Sequence, residues 1–185
     1  MDTRPIVVDF DDFYNVNNGL DLLFRIKSEV KGFKCTLFTV LGRCSLGFIK
    51  TIHNIDWIEM ACHGRIHNHK ECQYWDLEEI KYYISHYDNI YSDYIQKIFK
   101  PPYWLGNDII YKELDKNGFI IAENLVNGKK RPDCKYVYTL QDKRYKYIHG
   151  HIQDGCGNGL KEQFTYYCSL KGEFKFISEL RSELC

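Results

Sequence analysis

An apolar run that ends in acidic residues lies near the start of the chain and constrains the fold most. Residues 6–8 are Ile-Val-Val and Phe10 extends them, which predicts a buried β-strand. Asp9, Asp11 and Asp12 crowd the end of this strand. Carboxylates this close repel one another and are costly to desolvate, so folding alone gives little reason to place them there. A solvated acidic turn is the simplest interpretation. The functional one is a strand that presents a metal ligand or a reactive group at its carboxyl end.

Length and composition favour a single domain with no strongly charged partner. The chain has 185 residues, with 25 Lys and Arg against 25 Asp and Glu, so nothing favours a nucleic acid or an anionic membrane as partner. Neither a signal-peptide pattern nor an apolar run of membrane-spanning length is present, which predicts a cytoplasmic protein. The eight cysteines contain no Cys-x-x-Cys pair, so we expect reduced thiols and no structural zinc ribbon. The sequence does not indicate the oligomeric state.

Predicted strands and helices alternate along residues 1–185, which indicates an α/β domain with parallel strands. After the first strand, the predicted strands are 34–40, 57–61, 119–122, 136–140 and 145–152. The predicted helices are 19–30, 46–52, 75–86, 91–99 and 108–117. A glycine-rich loop at 155–159, a helix from about residue 160, and a short strand followed by a helix within 174–184 complete the pattern.

Two pairs of histidines have spacings that suit chemistry. His63 and His67 are four residues apart, so on a helical turn both imidazoles would project from one face and could bind one metal ion. His149 and His151 are two residues apart on a predicted strand, share a face, and could supply a general acid. The alternatives are surface histidines for the first pair, and one core and one surface histidine for the second. Combined with a carboxylate, the first pair gives a frequent ligand set for a catalytic metal.

A rigid proline pair precedes an aromatic pair at residues 101–104. Because each proline fixes its own backbone, the N–H of Tyr103 could be aimed at an oxyanion with little entropic cost. A rigid turn whose aromatic side chain packs on the core is the alternative interpretation.

Taken in order, these motifs resemble those of the polysaccharide deacetylases, metal-dependent carbohydrate esterases that remove N-acetyl groups. Residues 10–12 resemble the first motif, Thr/Ser-Phe-Asp-Asp-Gly, and residues 63–67 resemble the second, His-Ser/Thr-x-x-His. Residues 99–103 resemble the third, Phe-Arg-Pro-Pro-Tyr. His149 or His151 falls where the histidine of the last motif is expected.

The resemblance covers residues 5–152 and implies a distorted (β/α) barrel of about seven strands, with the active site at the carboxyl ends of the strands. It implies a divalent metal, usually zinc, held by Asp12, His63 and His67. Asp11 would be the general base that activates water for attack on an acetyl carbonyl.

The remaining roles implied by the resemblance concern the oxyanion, the leaving group and the substrate. The metal and the backbone N–H of Tyr103 would stabilise the oxyanion, and His149 or His151 would protonate the leaving amine. An acetylated amino sugar or polysaccharide would be bound by the third motif, at Lys100, Pro102, Tyr103 and Trp104.

The chain also departs from the family pattern. Phe13 replaces Gly, and Gly64 replaces Ser or Thr. Lys100 replaces the Arg that orients the base, and Lys cannot make the same bidentate contact. The Asp-x-x-Asp-Trp motif has no counterpart, although Glu123 and Asn124 follow a predicted strand at about that place. These departures bear on the substrate, which could be another amide or ester, more than on the metal site.

The predicted function is hydrolysis of the carbon–nitrogen bond of an acetamide, or of an O-acetyl ester, on a carbohydrate. One alternative is a phosphatase of the haloacid dehalogenase type with Asp9 as nucleophile beside Asp11, which leaves the histidine pairs unexplained. Another is a non-catalytic carbohydrate-binding protein on a decayed deacetylase scaffold. Retention of both Asp11 and Asp12 argues against decay, and Asp9 is expected to support Asp11 by hydrogen bonding from the same face of the strand.

Overall fold

The computed structural model describes residues 3–16, 18–125, 129–153 and 158–184. Its strands are β1 (Ile6–Phe13), β2 (Cys35–Thr39), β3 (Ile58–Cys62), β4 (Ile98–Phe99), β5 (Ile120–Glu123), β6 (Val137–Thr139), β7 (Lys146–His151) and β8 (Phe174–Lys175). Its α-helices are α1 (Leu20–Glu29), α2 (Leu46–His53), α3 (Glu71–Tyr74), α4 (Leu77–Ile90), α5 (Asp108–Lys116) and α6 (Phe164–Cys168). Short 3₁₀ helices span Leu41–Arg43, Pro102–Trp104 and Ser178–Glu183. Among the described residues, no helix is long and apolar enough to cross a bilayer.

The strands form one curled parallel sheet, with β1 near one edge. Their order is β6-β5-β4-β3-β2-β1-β7, and β8 pairs with the amino end of β1. The neighbouring strands that the structure describes are all parallel. Helices between the strands cover the outer face, as parallel connections require. The predicted distorted barrel of about seven strands is confirmed, as a half-barrel whose edge strands stay apart.

Alternation along β1 separates an apolar outer face from an inner face that carries charge. Ile6, Val8 and Phe10 pack in the larger core beneath the helices. Val7 packs in the smaller core inside the curl, together with residues of the final 3₁₀ helix. Asp9 and Asp11 have the same parity as Val7, so both carboxylates point into the half-barrel above this inner core. The sequence therefore places two buried acids at the end of an otherwise apolar interior.

An irregularity at the end of β1 brings a third acid to the same side. Adjacent residues of a strand normally face opposite ways. The pairing of β1 with β2 shifts register between Phe10 and Phe13, and Asp12 has a φ of 64°. As a result, one imidazole nitrogen of His63 lies 3.7 Å from an oxygen of Asp11 and 3.7 Å from an oxygen of Asp12.

Most predicted elements are confirmed, and two predictions around the site are wrong. The predicted helix 91–99 is instead a turn followed by the two-residue strand β4. The cause is the exposed edge of β3: Gln96 N–H donates to Met60 O at 2.9 Å and Lys100 N–H donates to Cys62 O at 3.0 Å. Residues 63–67 do not form a helical turn, because the backbone takes positive φ at Gly64 and His67.

The carboxyl-terminal predictions are confirmed only in part. Residues 155–157 of the predicted glycine-rich loop lie outside the described residues. The helix predicted from about residue 160 is a turn, and α6 begins only at Phe164. The predicted final helix is a 3₁₀ helix whose Ile177 and Leu180 fill the inner core at the amino ends of the strands. The carboxyl ends of the strands stay open for a site.

Candidate metal centre and active site

The predicted site residues converge at the carboxyl ends of two strands and in the loops that follow two others. These residues are Asp11 and Asp12 from β1, His63 and His67 after β3, Lys100, Pro102, Tyr103 and Trp104 after β4, and His149 and His151 on β7. Two separate sets of donor atoms result, and the atoms of each set lie within 4.8 Å of one another. One set is Asp12 with His63 and His67, and the other is Asp11 with His149 and His151.

The first set surrounds a carboxylate oxygen that lacks a hydrogen-bond donor. Asp12 Oδ1 lies 2.8 Å from His67 Nε2 and 3.7 Å from His63 Nε2. This oxygen is buried, and no described residue donates a hydrogen bond of normal geometry to it. Buried polar atoms are rarely left so, and an anionic oxygen between two imidazole nitrogens matches the donors of a tetrahedral metal site. The residues present therefore fit a divalent cation.

The tautomer and charge of these side chains suit metal binding. His63 Nδ1 donates to Lys100 O at 2.9 Å, which leaves the lone pair on Nε2, facing Asp12. Burial lowers the pKa of His63, outweighing the opposing effect of Asp11, so the imidazole is neutral. Burial alone would raise the pKa of Asp12, but the close contact with His67 holds it below its ordinary value. Neutral imidazoles and an ionised carboxylate are the forms that bind metal.

Glycine is required where the chain leaves β3. Gly64 has a φ of 67°, and a Cβ there would lie 2.8 Å from Pro102 Cγ. The close approach of this loop to Pro102 brings the third motif beside the histidines. Although the predicted helical turn is wrong, the imidazole rings of His63 and His67 still meet, with centroids 5.0 Å apart.

Asp11 is buried and held from one side by a lysine. Lys100 Nζ donates to Asp11 Oδ1 at 2.7 Å and to Asp9 Oδ1 at 2.8 Å. Its ammonium is fully buried and lies 3.8 Å from the centre of the Phe38 ring. Lys100 thus contacts two carboxylates rather than the open face where a substrate contact was expected. The other oxygen of Asp11, Oδ2, lies 3.8 Å from His149 Nε2.

Asp9 links this lysine to His149. His149 Nδ1 hydrogen-bonds with Asp9 Oδ1 at 2.7 Å, and the Tyr147 hydroxyl donates to Asp9 Oδ2. Burial alone would raise the pKa of Asp9, but the charges of Lys100 and His149 bring it to about 2. The predicted support of Asp11 by Asp9 therefore runs through the shared ammonium of Lys100.

His151 has a different partner. Its Nδ1 lies 2.7 Å from Asn158 Oδ1, an amide oxygen that carries no charge. Since an amide oxygen only accepts, Nδ1 of His151 is the protonated nitrogen of the ring. In both histidines of β7, Nδ1 is held by a hydrogen bond and a ring nitrogen lies within 4.8 Å of an oxygen of Asp11, but only His149 is held by a carboxylate.

The third motif has an unusual backbone that places two rings at the site. Tyr103 and Trp104 have φ values of 57° and 60°, a left-handed conformation that costs energy for residues other than glycine. The half-exposed Tyr103 ring lies 4.9 Å from that of His67, and the Trp104 ring lies 5.5 Å from that of His149. Tyr103 N–H forms no hydrogen bond with any residue that the structure describes.

The carboxylate partner of His149 was not predicted from the sequence. Glu123, which follows a strand as expected, binds Lys129 at 2.6 Å, and Lys129 in turn donates to Trp104 O at 2.7 Å. The carboxylate beside His149 comes from Asp9 instead, where the resembled motif has Thr or Ser. The chain therefore departs from the resembled motifs at both Asp9 and Lys100, and the two side chains are in contact. These two departures together were the sequence signal that could have revealed the role of Asp9.

Comparisons with known proteins show the fold. No family model matches the chain, and no curated protein matches it by sequence. Among solved structures, a family 4 acetyl xylan esterase from Clostridium thermocellum in complex with a cobalt ion is 16% identical, with a TM-score of 0.66 over 97% of this chain and 91% of that one. A peptidoglycan N-acetylglucosamine deacetylase is 16% identical, with a TM-score of 0.64 over 98% and 89%. A pseudoenzyme of the same carbohydrate esterase family from Bacillus anthracis is 16% identical, with a TM-score of 0.65 over 97% and 66%.

The predicted resemblance to polysaccharide deacetylases is thereby confirmed for the fold. A sequence identity of 16% shows a shared fold but not a shared activity.

Proposed function

We propose that this chain is a metal-dependent hydrolase that removes N- or O-acetyl groups from a carbohydrate. The observation that carries the proposal is the donor-free oxygen of Asp12 between His63 and His67, directly beside a lysine-held Asp11. Asp12, His63 and His67 would hold a divalent cation, and two nitrogens with one carboxylate oxygen suit Zn²⁺ best. The cobalt ion in a structure of the same fold agrees with a divalent metal.

The division of labour around the acetyl group follows from these contacts. A divalent cation in this set supplies Lewis acidity, which makes a water more acidic and polarises a carbonyl oxygen. Asp11 takes the proton of the attacking water on Oδ2, because Lys100 occupies its Oδ1. Tyr103 N–H would donate to the developing oxyanion, from a residue whose backbone is left-handed.

His149 is the general acid in this proposal, rather than His151. An acid must carry a proton in the step before bond cleavage, and the carboxylate of Asp9 stabilises the imidazolium through Nδ1. His151 has only an amide at the same position and is better suited to hydrogen-bond substrate as a neutral ring. His149 Nε2, on the side of Asp11, would deliver the proton to the leaving nitrogen or oxygen.

Charge balance favours one cation rather than two. The carboxylates of Asp9, Asp11 and Asp12 and the ammonium of Lys100 leave two negative charges, or one when His149 carries its proton, so a single dication already offsets them. A second dication on Asp11, His149 and His151 would lie beside the ammonium of Lys100 without a counter-charge. The second donor set is therefore assigned to acid–base chemistry.

An acetylated amino sugar or polysaccharide fits the open face of the site. The half-exposed ring of Tyr103 and the partly exposed ring of Trp104 flank the metal ligands and the acid histidine. Aromatic rings with an apolar face and a polar edge suit sugar rings. Pro102 is buried against Gly64 and holds these rings in place rather than meeting solvent.

The two alternative functions differ in what they leave unexplained. A phosphatase that uses Asp9 as nucleophile is not favoured, because Asp9 is fully buried and already engaged by Lys100, His149 and Tyr147. A non-catalytic binding protein is the alternative raised by the pseudoenzyme of the same fold. The chain retains the proposed base, the proposed acid and all three proposed metal ligands, which argues against a non-catalytic protein.

Removal of metal tests the proposal directly. We expect a chelator to abolish acetate release from acetylated chitooligosaccharides, xylan or peptidoglycan, and added Zn²⁺ or Co²⁺ to restore it. His67→Ala should lose bound metal and activity together, because it removes one of three ligands. His53→Ala, at an exposed site in α2, is the matched control and should change neither. Acetate release that survives chelation would contradict the metal mechanism, and bound metal without acetate release would support the binding protein.

Asp9→Asn tests the assignment of the acid. We expect kcat to fall about tenfold to a hundredfold, and the alkaline limb of the activity profile to move to lower pH. Asp9, with a pKa of about 2, is negative throughout the assay range. Its negative charge attracts the proton that His149 must carry as the acid, and the neutral amide of the variant does not. Asp142→Asn, which removes a partly buried carboxylate paired with Arg144 outside the site, is the control. A fall in kcat that is equal at every pH would contradict the assignment.

A further inference from the structure

The loop between the two metal-binding histidines closes around a buried carboxylate that is not a ligand. Glu71, the first residue of α3, is buried. Its Oε1 accepts the backbone N–H of Arg65 at 2.8 Å, and its Oε2 accepts that of His67 at 2.7 Å. Ile66 N–H lies 3.2 Å from Oε1 and donates to the same carboxylate. Three consecutive N–H groups thus converge on one side chain, as they do around bound anions.

The same carboxylate explains why glycine stands at position 64. A Cβ on Gly64 would lie 3.0 Å from Glu71 Oε2, besides its close approach to Pro102. The resembled motif has Ser or Thr at this position, whereas here Glu71 fills the space. The position of Glu71 and the absence of a Cβ at Gly64 are therefore sterically linked.

The backbone that Glu71 holds is one that a histidine does not adopt readily. His67 has a φ of 62°, in the left-handed region that disfavours residues with a Cβ. Its own N–H is the donor of the shortest bond to Glu71. On the other side of the loop, Gly42 N–H donates to Arg65 O at 2.7 Å. Without the carboxylate, three partly buried N–H groups would lose their acceptor and His67 could relax, which would move Nε2 away from Asp12.

We propose that Glu71 is a positioning residue that preorganises the His63–His67 loop and thereby sets the affinity of the site for its metal. The inference rests on the proposed metal site and assigns Glu71 no contact with metal or substrate. It predicts that the loop has its ligand-binding conformation before any metal arrives.

The test compares two buried carboxylates under the same substitution. For Glu71→Gln we expect the Kd for Zn²⁺, measured by competition with a chromophoric chelator, to rise about tenfold to a hundredfold. The absorption bands of bound Co²⁺ should change as well, because the position of His67 changes. Glu59→Gln is the matched control: Glu59 is buried at the amino end of β3 and accepts from Thr36 Oγ1 at 2.8 Å, far from the ligands. Its Kd and Co²⁺ spectrum should equal those of the wild type.

The outcomes separate this inference from the proposed function. If the wild type and Glu59→Gln bind no Zn²⁺, the proposed metal site itself fails. If the wild type binds Zn²⁺ and a less stable Glu71→Gln binds it equally well, Glu71 is merely structural and the inference is wrong. Should Glu71→Gln not fold, Glu71→Asp keeps the charge but shortens its reach, and an unchanged Kd there overturns the inference equally. Independently, the amides of residues 65–67 should resist hydrogen exchange in the metal-free wild type, and rapid exchange would contradict preorganisation.

Discussion

Replacing Asp11 with Asn is expected to lower kcat for acetate release by about 10²–10⁴-fold, with little change in bound metal. Asp11 Oδ1 is bound by Lys100 at 2.7 Å, and an amide oxygen can keep that bond. The amide that then faces the water cannot accept a proton, so the base is lost while the surrounding contacts remain. Steady-state kinetics and metal analysis of the purified variant measure the two quantities separately.

Asp12→Asn is the natural companion of this experiment, because the two acids are adjacent in sequence and differ in role. We expect Asp12→Asn to lose metal, since its Oδ1 lies between His63 and His67. The proposed roles would be contradicted if Asp11→Asn kept its activity, or if metal were lost from Asp11→Asn and kept by Asp12→Asn. A phosphatase would instead depend on the ionised Asp9 as nucleophile.

Alternation and spacing were enough to predict the frame of the site. The apolar run of β1 and the parity of its acids predict that Asp9 and Asp11 share a face, and the structure buries both inside the curl. The two-residue spacing of His149 and His151 likewise predicts one shared face, and both have nitrogens near Asp11. Alternation within a single strand is a local pattern, so it can be recognised from the sequence before the fold is known.

Features that depend on two distant segments were beyond prediction. Asp12 faces the site only because β1 shifts register against β2 between Phe10 and Phe13. Asp9 meets His149 because β1 pairs with β7 in the register that sets these two residues side by side. Neither a register nor a strand neighbour is written in a local pattern. The two-residue strand β4 is too short to show any periodicity, so the sequence there was assigned to a helix.

The four-residue spacing of His63 and His67 predicted their contact correctly, but for the wrong structural reason. His63 and His67 were expected to meet because a helical turn would stack residues four apart. They meet instead because Gly64 and His67 reverse the backbone and Glu71 holds the reversed loop. A four-residue spacing therefore predicts proximity in either case, but only the structure reveals what maintains it.

Replacing Lys100 with Met is expected to destabilise the metal-free protein by about 3–5 kcal/mol at pH 7, because it leaves two buried carboxylates without their shared counter-charge. The Lys100 ammonium is fully buried between Asp9 and Asp11, and Met keeps its length and much of its packing on Phe38. Urea unfolding measures the loss. Lys34→Met removes a lysine from a surface pair with Glu179 and should cost about 1 kcal/mol or less.

The pH dependence distinguishes lost charge from lost packing. In the wild type the pKa of Asp9, about 2, lies below its ordinary value of 3.8, so its contribution is present above about pH 4 and is lost as the pH falls towards 2. In Lys100→Met, the ammonium that lowers the pKa of Asp9 is gone, so burial raises that pKa. The variant therefore gains stability on acidification, as Asp9 binds a proton. The deficit should therefore shrink from pH 7 to pH 5, and Asp9→Asn combined with Lys100→Met should cost less at pH 7 than Lys100→Met alone. A deficit that is independent of pH would show that Lys100 acts by packing rather than as the cation that makes two buried acids tolerable.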